Sequence, residues 1–271
     1  MLYFIDLVKK LENKSNEERK NTVINILNNK KIKHKIENYN YYGNIGSNII
    51  VELGKGEKYS IASAHYDAVP GSPGANDDAS AIAVLLKLID NLKKIKLKNK
   101  IRVIFFGDEE IGRFGSLSYI KKHNLRNLIG VYHMELVGMG DSIGLWPITN
   151  FNKNSYIIEI IEKILKMKKI YWERVDNLPA FYGDDLSFRE YGFKHAICIS
   201  VVYKKDKKKI KKFVKSPIPS VIFKYYFGLV PKMMKLYHSK NDKSEYLNES
   251  AMQMTAEVLT ESLIKLDNMF D

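Results

Sequence analysis

Histidine and carboxylate side chains gather at a few places in the sequence, and their chemical types suit metal binding. In HYDAVPGSPGANDDAS, residues 65–80, one His and three Asp surround a loop rich in Pro and Gly. DEE, MELVG and YHSKND add acidic and imidazole groups at residues 108–110, 134–138 and 237–242. Each group alone has an ordinary explanation as a turn, a helix cap or a charged surface. Together they offer the imidazole and carboxylate ligands that a divalent metal site needs.

The elements predicted around these groups place them at the ends of strands. NIIVEL and KYSIASAHYD are two predicted strands joined by the turn GKGE, so His65 lies at a strand's C-terminal end. KIRVIFF and LIGVYHMELVG are largely apolar strands that also end in acidic residues. Between KYSIASAHYD and KIRVIFF, DDASAIAVLLKLIDNLKKI has apolar residues at helical spacing and predicts a helix that starts at Asp77, with Asp78 as its cap. In α/β sheets, ligands bind beyond the C-terminal ends of the strands.

The remaining elements predict an α/β fold. Ser15 followed by Glu18 is a capping-box pattern, which predicts a helix from about Asn16 to Asn29. NSYIIEIIEKILKMKK and ESAMQMTAEVLTESLIKLDNMF are predicted helices, and KHAICISVVY is a predicted strand. Strands alternating with helices predict a sheet covered on both faces. We expect a single domain, residues 1–271, with a helical preface over about residues 1–30.

The net charge of +13 is carried mainly by Lys, since only six of the 44 basic residues are Arg. Arg is the residue of bidentate phosphate and base recognition, so this balance argues against a nucleic-acid-binding protein. KKDKKKIKKFVK, residues 204–215, favours a solvated Lys-rich helix over a site for an acidic partner. We therefore expect no nucleic acid as a partner.

Targeting and redox signals are weak. The single cysteine, Cys198, lies in the apolar run AICISVV and is expected to be a packed thiol. The N-terminus has no basic region before an adequate apolar stretch, and VIFKYYFGLVPKMMKLY is interrupted by Lys and Pro. We expect a cytoplasmic protein without a membrane partner, although a trimmed secreted form stays open, as does the oligomeric state.

The ordered motifs HYD, GANDDAS, DEE, MELVG and YHSKND resemble those of the co-catalytic zinc aminopeptidases. That family includes secreted bacterial leucine aminopeptidases, aminopeptidase Y and glutamate carboxypeptidases, with glutaminyl cyclases as relatives. The resemblance runs from about residue 48 to the C-terminal helix. It implies a three-layer αβα sandwich around a mixed, mostly parallel sheet, of the zinc-exopeptidase type.

Carried over to this sequence, the resemblance implies two divalent metal ions held by five ligands, with Asp77 bridging. The implied ligands are His65, Asp77, Glu110, Glu135 and His238. Zinc is the expected ion, with manganese and cobalt as alternatives. Glu109 is implied to be the general base. Adjacent side chains at a strand end point in different directions, which suits this division between Glu109 and Glu110.

Three neighbours of the implied ligands receive supporting or competing roles. Asp67 shares a strand face with His65 and is expected to orient its imidazole. Asp242 is expected to support His238 similarly, with a solvated Asp as the alternative. Glu135 stands where the family more often has Asp, and His133 on the same strand face is a competing ligand. We favour Glu135 because the resemblance continues through LVG after it.

The segment NLPAFYGDDLSFREYGF resembles the family's acidic stretch before a short helix, but the usual His is missing. Tyr182 is therefore a candidate donor to the oxyanion, with a packed loop Tyr as the alternative. Trp146, Phe181 and Tyr226 are candidate pocket walls.

The sequence thus predicts a dinuclear metal-dependent exopeptidase, in the first place an aminopeptidase acting on peptides with a free N-terminus. Glu109 would activate a water held between the two metals. The alternatives are a glutaminyl-cyclase-like aminoacyltransferase and a catalytically silent metal-binding relative. The presence of both His65 and Glu110 favours hydrolysis over the cyclase.

Overall fold

The computed structural model describes residues 3–176, 182–215, 228 and 230–270. Its centre is an eight-stranded mixed sheet. The strands are β1 (Lys35–Tyr41), β2 (Asn44–Leu53), β3 (Tyr59–His65), β4 (Lys100–Phe106), β5 (Leu128–Met134), β6 (Ser142–Trp146), β7 (Trp172–Arg174) and β8 (Ala196–Val202).

Four parallel strands occupy the middle of this sheet. The strand order is β1-β2-β4-β3-β5-β8-β6-β7, in which β4, β3, β5 and β8 run parallel to one another. The pairs β1–β2, β2–β4 and β6–β8 are antiparallel, and β7 pairs parallel with β6. His65 pairs with Phe106, and Ser63 pairs with His133. The C-terminal ends of β3, β4 and β5 therefore meet at one edge of the sheet.

Helices cover both faces of the sheet. The helices are α1 (Phe4–Lys9), α2 (Asn16–Asn29), α3 (Ser80–Leu92), α4 (Phe114–Lys122), α5 (Tyr156–Met167), α6 (Asp185–Glu190), α7 (Lys207–Lys215) and α8 (Glu249–Met269). The main core joins the sheet to α1, α2, α3, α5 and α8. A second core packs Tyr119 of α4 and Phe188 of α6 against the opposite face. The predicted three-layer αβα sandwich is confirmed.

The local predictions agree with the structure where the sequence pattern is strong. Ser15 accepts a hydrogen bond from the backbone N–H of Glu18, and α2 has the predicted bounds. The sequence did not predict β1, β6 or β7. KIENYNY has few apolar residues because β1 is a sheet edge, and β7 has only three residues. The single-domain division stays a prediction.

The helix predicted to start at Asp77 starts three residues later. Ala75–Ala79 form an irregular turn in which Asp77 and Asp78 have non-helical backbone angles. Asp78, expected to cap the helix, makes no capping hydrogen bond, and both of its carboxylate oxygens are buried without a hydrogen-bond partner. The expected cap at Asp78 was wrong.

Among the described residues, no helix combines the length and apolar character needed to cross a bilayer.

His195 supplies a prediction about acid stability. Its ring stacks on Tyr156 with centroids 3.8 Å apart, and its Nδ1 lies 2.9 Å from the Ser155 hydroxyl. Burial, assisted by Lys194, lowers the pKa of His195 from 6.5 to about 4. As pH falls, the unfolded chain binds this proton before the folded chain does. The contribution of His195 to the free energy of unfolding is therefore fully present above pH 6.5 and is lost as pH drops towards 4.

We expect the substitution His195→Phe, which keeps an aromatic ring against Tyr156, to make this fall shallower. Urea midpoints of both proteins, measured from neutral to acidic pH, test the difference. An imidazole pKa near 6.5 for His195 in an NMR titration would contradict the prediction.

Candidate metal centre

Two imidazoles meet one carboxylate at the edge where the parallel strands end. His65 ends β3, Asp77 lies in the turn before α3, and His238 lies in the loop before α8. The Nε2 of His65 is 3.2 Å from Oδ1 of Asp77, and the Nε2 of His238 is 3.4 Å from Oδ2 of the same carboxylate. Asp77 thus offers one oxygen to each imidazole.

The two adjacent Glu side chains after β4 face different members of this cluster. Oε2 of Glu110 lies 2.8 Å from Nε2 of His238. Glu110 also groups with His65 and Asp77, with ligand atoms within 4.8 Å of one another. Glu109 instead groups with His65 and Glu135, again within 4.8 Å. The structure brings together all five residues that the resemblance implied as ligands, with Glu109 beside them.

The donor set fits bound cations. Oδ2 of Asp77 and Oε1 of Glu110 are buried and have no hydrogen-bond partner. A buried carboxylate oxygen without a partner is costly unless a proton or a cation compensates it. Mixed imidazole and carboxylate donors suit zinc and also accept manganese or cobalt.

The titration of these groups reflects crowded negative charge. Burial would lower the pKa of His238, but its contacts with Asp77 and Glu110 raise that pKa to about 9. Burial would raise the pKa of Asp77, but His238 and His65 hold it below its ordinary range. Burial raises the pKa of Glu135 to about 7 and that of Glu109 well above its ordinary range. The neighbouring carboxylates thus favour the protonated form of both imidazoles when no metal is bound.

Asp67 supports the glutamate pair as well as the imidazole. Its carboxylate accepts hydrogen bonds from the backbone N–H of Glu109 at 3.2 Å and of Glu110 at 3.0 Å. Its Oδ1 is 3.5 Å from Nδ1 of His65, whereas its backbone oxygen is closer to that nitrogen, at 3.1 Å. Asp67 therefore links the ends of β3 and β4.

Asp242 lies against Asp77 rather than acting through the imidazole it was expected to support. Its carboxylate accepts hydrogen bonds from the backbone N–H of Asn76 at 2.8 Å and of Asp77 at 3.0 Å. Burial and the charge of Asp77 raise the pKa of Asp242 to about 7. Its contacts hold the turn that carries Asp77, and no hydrogen bond joins it to His238 among the described residues.

His133 and Glu135, which competed as ligands in the sequence, contact each other. Nε2 of His133 lies 3.2 Å from Oε1 of Glu135, and Nδ1 lies 3.1 Å from the Ser63 hydroxyl. Both imidazole nitrogens of His133 thus have protein partners. Gly183 leaves room for this pair, because a Cβ there would lie 2.5 Å from Oε1 of Glu135.

The aromatic residues differ from the sequence expectation. Tyr182 is 53% exposed, whereas the ring of Tyr237 stacks on His238 with centroids 3.6 Å apart. Burial and the nearby carboxylates, Asp77 first, raise the pKa of Tyr237 well above its ordinary range. Sequence reasoning missed Tyr237, although it directly precedes His238 in the quoted motif YHSKND.

The candidate pocket walls receive little support. Trp146 is buried, and its indole N–H donates to the Ser200 hydroxyl at 2.8 Å. Phe181 and Tyr226 lie outside the described residues.

Asp184 is a second residue that sequence reasoning left without a role. Its carboxylate is buried with both oxygens lacking a hydrogen-bond partner. Burial raises its pKa to about 6, and its negative charge contributes to the raised pKa of Glu109. The acidic pair in GDDLSF was the available signal.

This cluster defines a candidate metal centre at the C-terminal ends of the parallel strands. Residues 48–263 match the model of peptidase family M28. The chain therefore belongs to peptidase family M28.

Individual proteins are similar to this chain in sequence or in fold. Aminopeptidase YwaD of Bacillus subtilis is 27% identical over 202 residues, which cover 73% of this chain and 38% of YwaD. The structure of BSAP, a zinc aminopeptidase from Bacillus subtilis, has a TM-score of 0.65 at 21% identity and covers 83% of this chain and 51% of BSAP. Glutaminyl cyclase of Porphyromonas gingivalis has a TM-score of 0.68 at 16% identity, over 97% of both chains. This chain therefore spans 38% of YwaD and about half of BSAP.

Proposed function

We propose that this protein is a dinuclear metal-dependent aminopeptidase that removes N-terminal residues from peptides. The observation that carries the proposal is the Asp77 carboxylate, whose two oxygens face His65 and His238. Glu109 stands beside the same cluster as a separate carboxylate. Membership in peptidase family M28 supports hydrolysis of a peptide bond.

His65, Asp77 and Glu135 would hold one divalent ion, and Asp77, Glu110 and His238 the other. Two such ions, when bound, would lower the pKa of a water and polarise the scissile carbonyl. Zinc is the expected ion. Asp67 would keep His65, Glu109 and Glu110 in their relative positions through the contacts described above.

Glu109 would act as the general base. Its carboxylate takes a proton from the attacking water and then delivers a proton to the leaving amine. Burial and the charges of Glu135 and Asp184 raise the pKa of Glu109, which makes this carboxylate a stronger proton acceptor. Tyr237 or Tyr182 would donate to the developing oxyanion.

Metal removal tests the centre directly. We expect two metal ions per chain, lost with a chelator together with activity and restored by zinc. Zinc at about 100 times its Kd should stabilise the protein by about 2.7 kcal/mol, because it binds the folded state. This should raise Tm by roughly 5–10 °C. The variant His34→Asn, changed outside the cluster, should bind the same amount of zinc. A purified protein that binds no divalent ion would contradict the proposal.

A glutaminyl-cyclase-like aminoacyltransferase is the second candidate. The structural likeness to Porphyromonas gingivalis glutaminyl cyclase extends over 97% of both chains, whereas the likeness to BSAP covers about half of BSAP. Peptides with N-terminal Gln, compared with aminoacyl amides of other residues, separate the two reactions. Release of ammonia with pyroglutamate as the product would favour the cyclase, and release of free amino acids would favour the aminopeptidase.

A further inference from the structure

Arg19 of α2 reaches into the loop that separates His65 from Asp77. Its side chain is fully buried, and its Nε donates to the backbone oxygen of Tyr66. Its Nη1 donates to the backbone oxygen of Gly74 at 3.1 Å and of Leu11 at 3.2 Å. One guanidinium thus ties both ends of the loop to the N-terminal segment.

Neighbouring residues of the same segment bind the same loop. The Asn16 side-chain oxygen accepts a hydrogen bond from the backbone N–H of Ala68 at 3.0 Å. The backbone N–H of Asn13 donates to the carbonyl of Pro73, also at 3.0 Å. The loop is therefore held along its length as well as at its ends.

Glu12 of this segment binds the loop that carries His238. Its carboxylate accepts hydrogen bonds from the backbone N–H of Ser244 at 3.1 Å and from the Ser244 hydroxyl at 2.6 Å. Ser244 lies two residues after Asp242, whose carboxylate accepts a hydrogen bond from the backbone N–H of Asp77. Residues 12–19 thus contact the loop between His65 and Asp77 and also the loop that carries His238.

Arg19 also contributes a permanent positive charge. Asp67, Asp77, Asp78 and Asp242 all act electrostatically on its guanidinium. Arg stays protonated throughout the physiological range, so this charge does not depend on bound metal. It offsets part of the repulsion among the four carboxylates while the strands and loops that bear them are held close.

We infer that Glu12, Asn13, Asn16 and Arg19 form an N-terminal clamp that sets the spacing of the two metal-ligand loops. Arg19 and Glu12 are its positioning residues. These residues precede residues 48–263, which the family model matches. The inference rests on the proposed function, because the loops that the clamp holds carry the proposed ligands.

Zinc affinity measured by competition with a chromophoric chelator tests the clamp. We expect Arg19→Met to weaken binding of at least one zinc by about 10–100-fold, the usual effect of losing a residue that orients metal ligands. The zinc affinity of Arg19→Lys should lie between those of Arg19→Met and wild type. Its ammonium keeps the positive charge but cannot reproduce the hydrogen bonds of the guanidinium to three backbone carbonyls. Glu12→Gln, which weakens only the contact with Ser244, should lower zinc affinity by less.

Lys30→Met is the matched control, at the C-cap residue that follows α2. Lys30 pairs with Asp90 across α2 and α3, away from the cluster. Its loss should lower the urea midpoint of the metal-free protein without changing zinc affinity. A clamp that is merely structural would make Arg19→Met behave as Lys30→Met does.

Unchanged zinc affinity in folded Arg19→Met would overturn the clamp. If Arg19→Met does not fold, Arg19→Lys and Glu12→Gln decide by the same measurement, and wild-type affinity in both overturns it. If wild-type protein itself binds no zinc, the proposed function fails instead.

Discussion

Replacing Glu109 by Gln is expected to lower kcat for aminoacyl substrates by about 10²–10⁴-fold, the usual contribution of a general base. The amide keeps the size of the side chain but cannot accept the proton of the attacking water. Both metals should remain, because the ligands Asp77, Glu110 and His238 are unchanged. The contact of Asp67 with Glu109 should also persist, since it is made to the backbone N–H of Glu109 and not to the side chain that is replaced. Metal analysis and steady-state kinetics on the same preparation measure both effects.

The matched control is Glu57→Gln, since Glu57 is exposed and outside the cluster. This variant should retain wild-type kcat. Wild-type turnover in metal-loaded Glu109→Gln would show that another group takes the proton. Loss of metal in Glu109→Gln would instead identify Glu109 as a ligand, which its grouping with His65 and Glu135 makes a meaningful alternative.

Replacing Asp77 by Asn is expected to abolish binding of both metals, and with it activity. The carboxylate lies between His65 and His238, so its loss removes a ligand common to the two proposed metal positions. Zinc affinity should fall by more than the roughly 10–100-fold typical of residues that only orient ligands. Competition with a chelator, followed by metal analysis, measures this loss.

Asp78→Asn is a close control for Asp77→Asn. Asp78 is equally buried, but its nearest imidazole contact, to Nε2 of His65, is 4.0 Å, against 3.2 Å for Asp77. Asp78 belongs to neither ligand group found among the described residues. We expect Asp78→Asn to keep both metals. The reverse pattern, with metal retained in Asp77→Asn and lost in Asp78→Asn, would exchange the two assignments.

The sequence predicted the elements whose signals are local. The capping residues of α2 lie three positions apart, and the apolar periodicity of α3 repeats within four, so neighbouring side chains determine both. The edge strands β1 and β7 were missed because edge strands need little apolar pattern. Asp78 was misread because a turn with non-helical angles looks like a helix start in sequence.

Roles that depend on distant contacts were only partly accessible. The sequence indicated Tyr182 as the donor and left Tyr237 without a role, but the fold stacks Tyr237 on His238 and leaves Tyr182 half-exposed. Asp242 was paired with its sequence neighbour His238, whereas the fold brings it against the backbone of Asp77, 165 residues away. Nothing near Arg19 in the sequence indicates that it binds the loop after His65.

By itself, the sequence determined the α/β architecture and the chemical types of the residues at the strand ends, because apolar periodicity and short motifs depend on residues that are close together in the chain. The tertiary structure decided which of those groups meet. It divides the two oxygens of Asp77 between His65 and His238 and separates Glu109 from Glu110. It also joins residues 12–19 to both ligand loops. Such contacts span long stretches of chain, and only the packing of the whole sheet and its helices brings them within bonding distance.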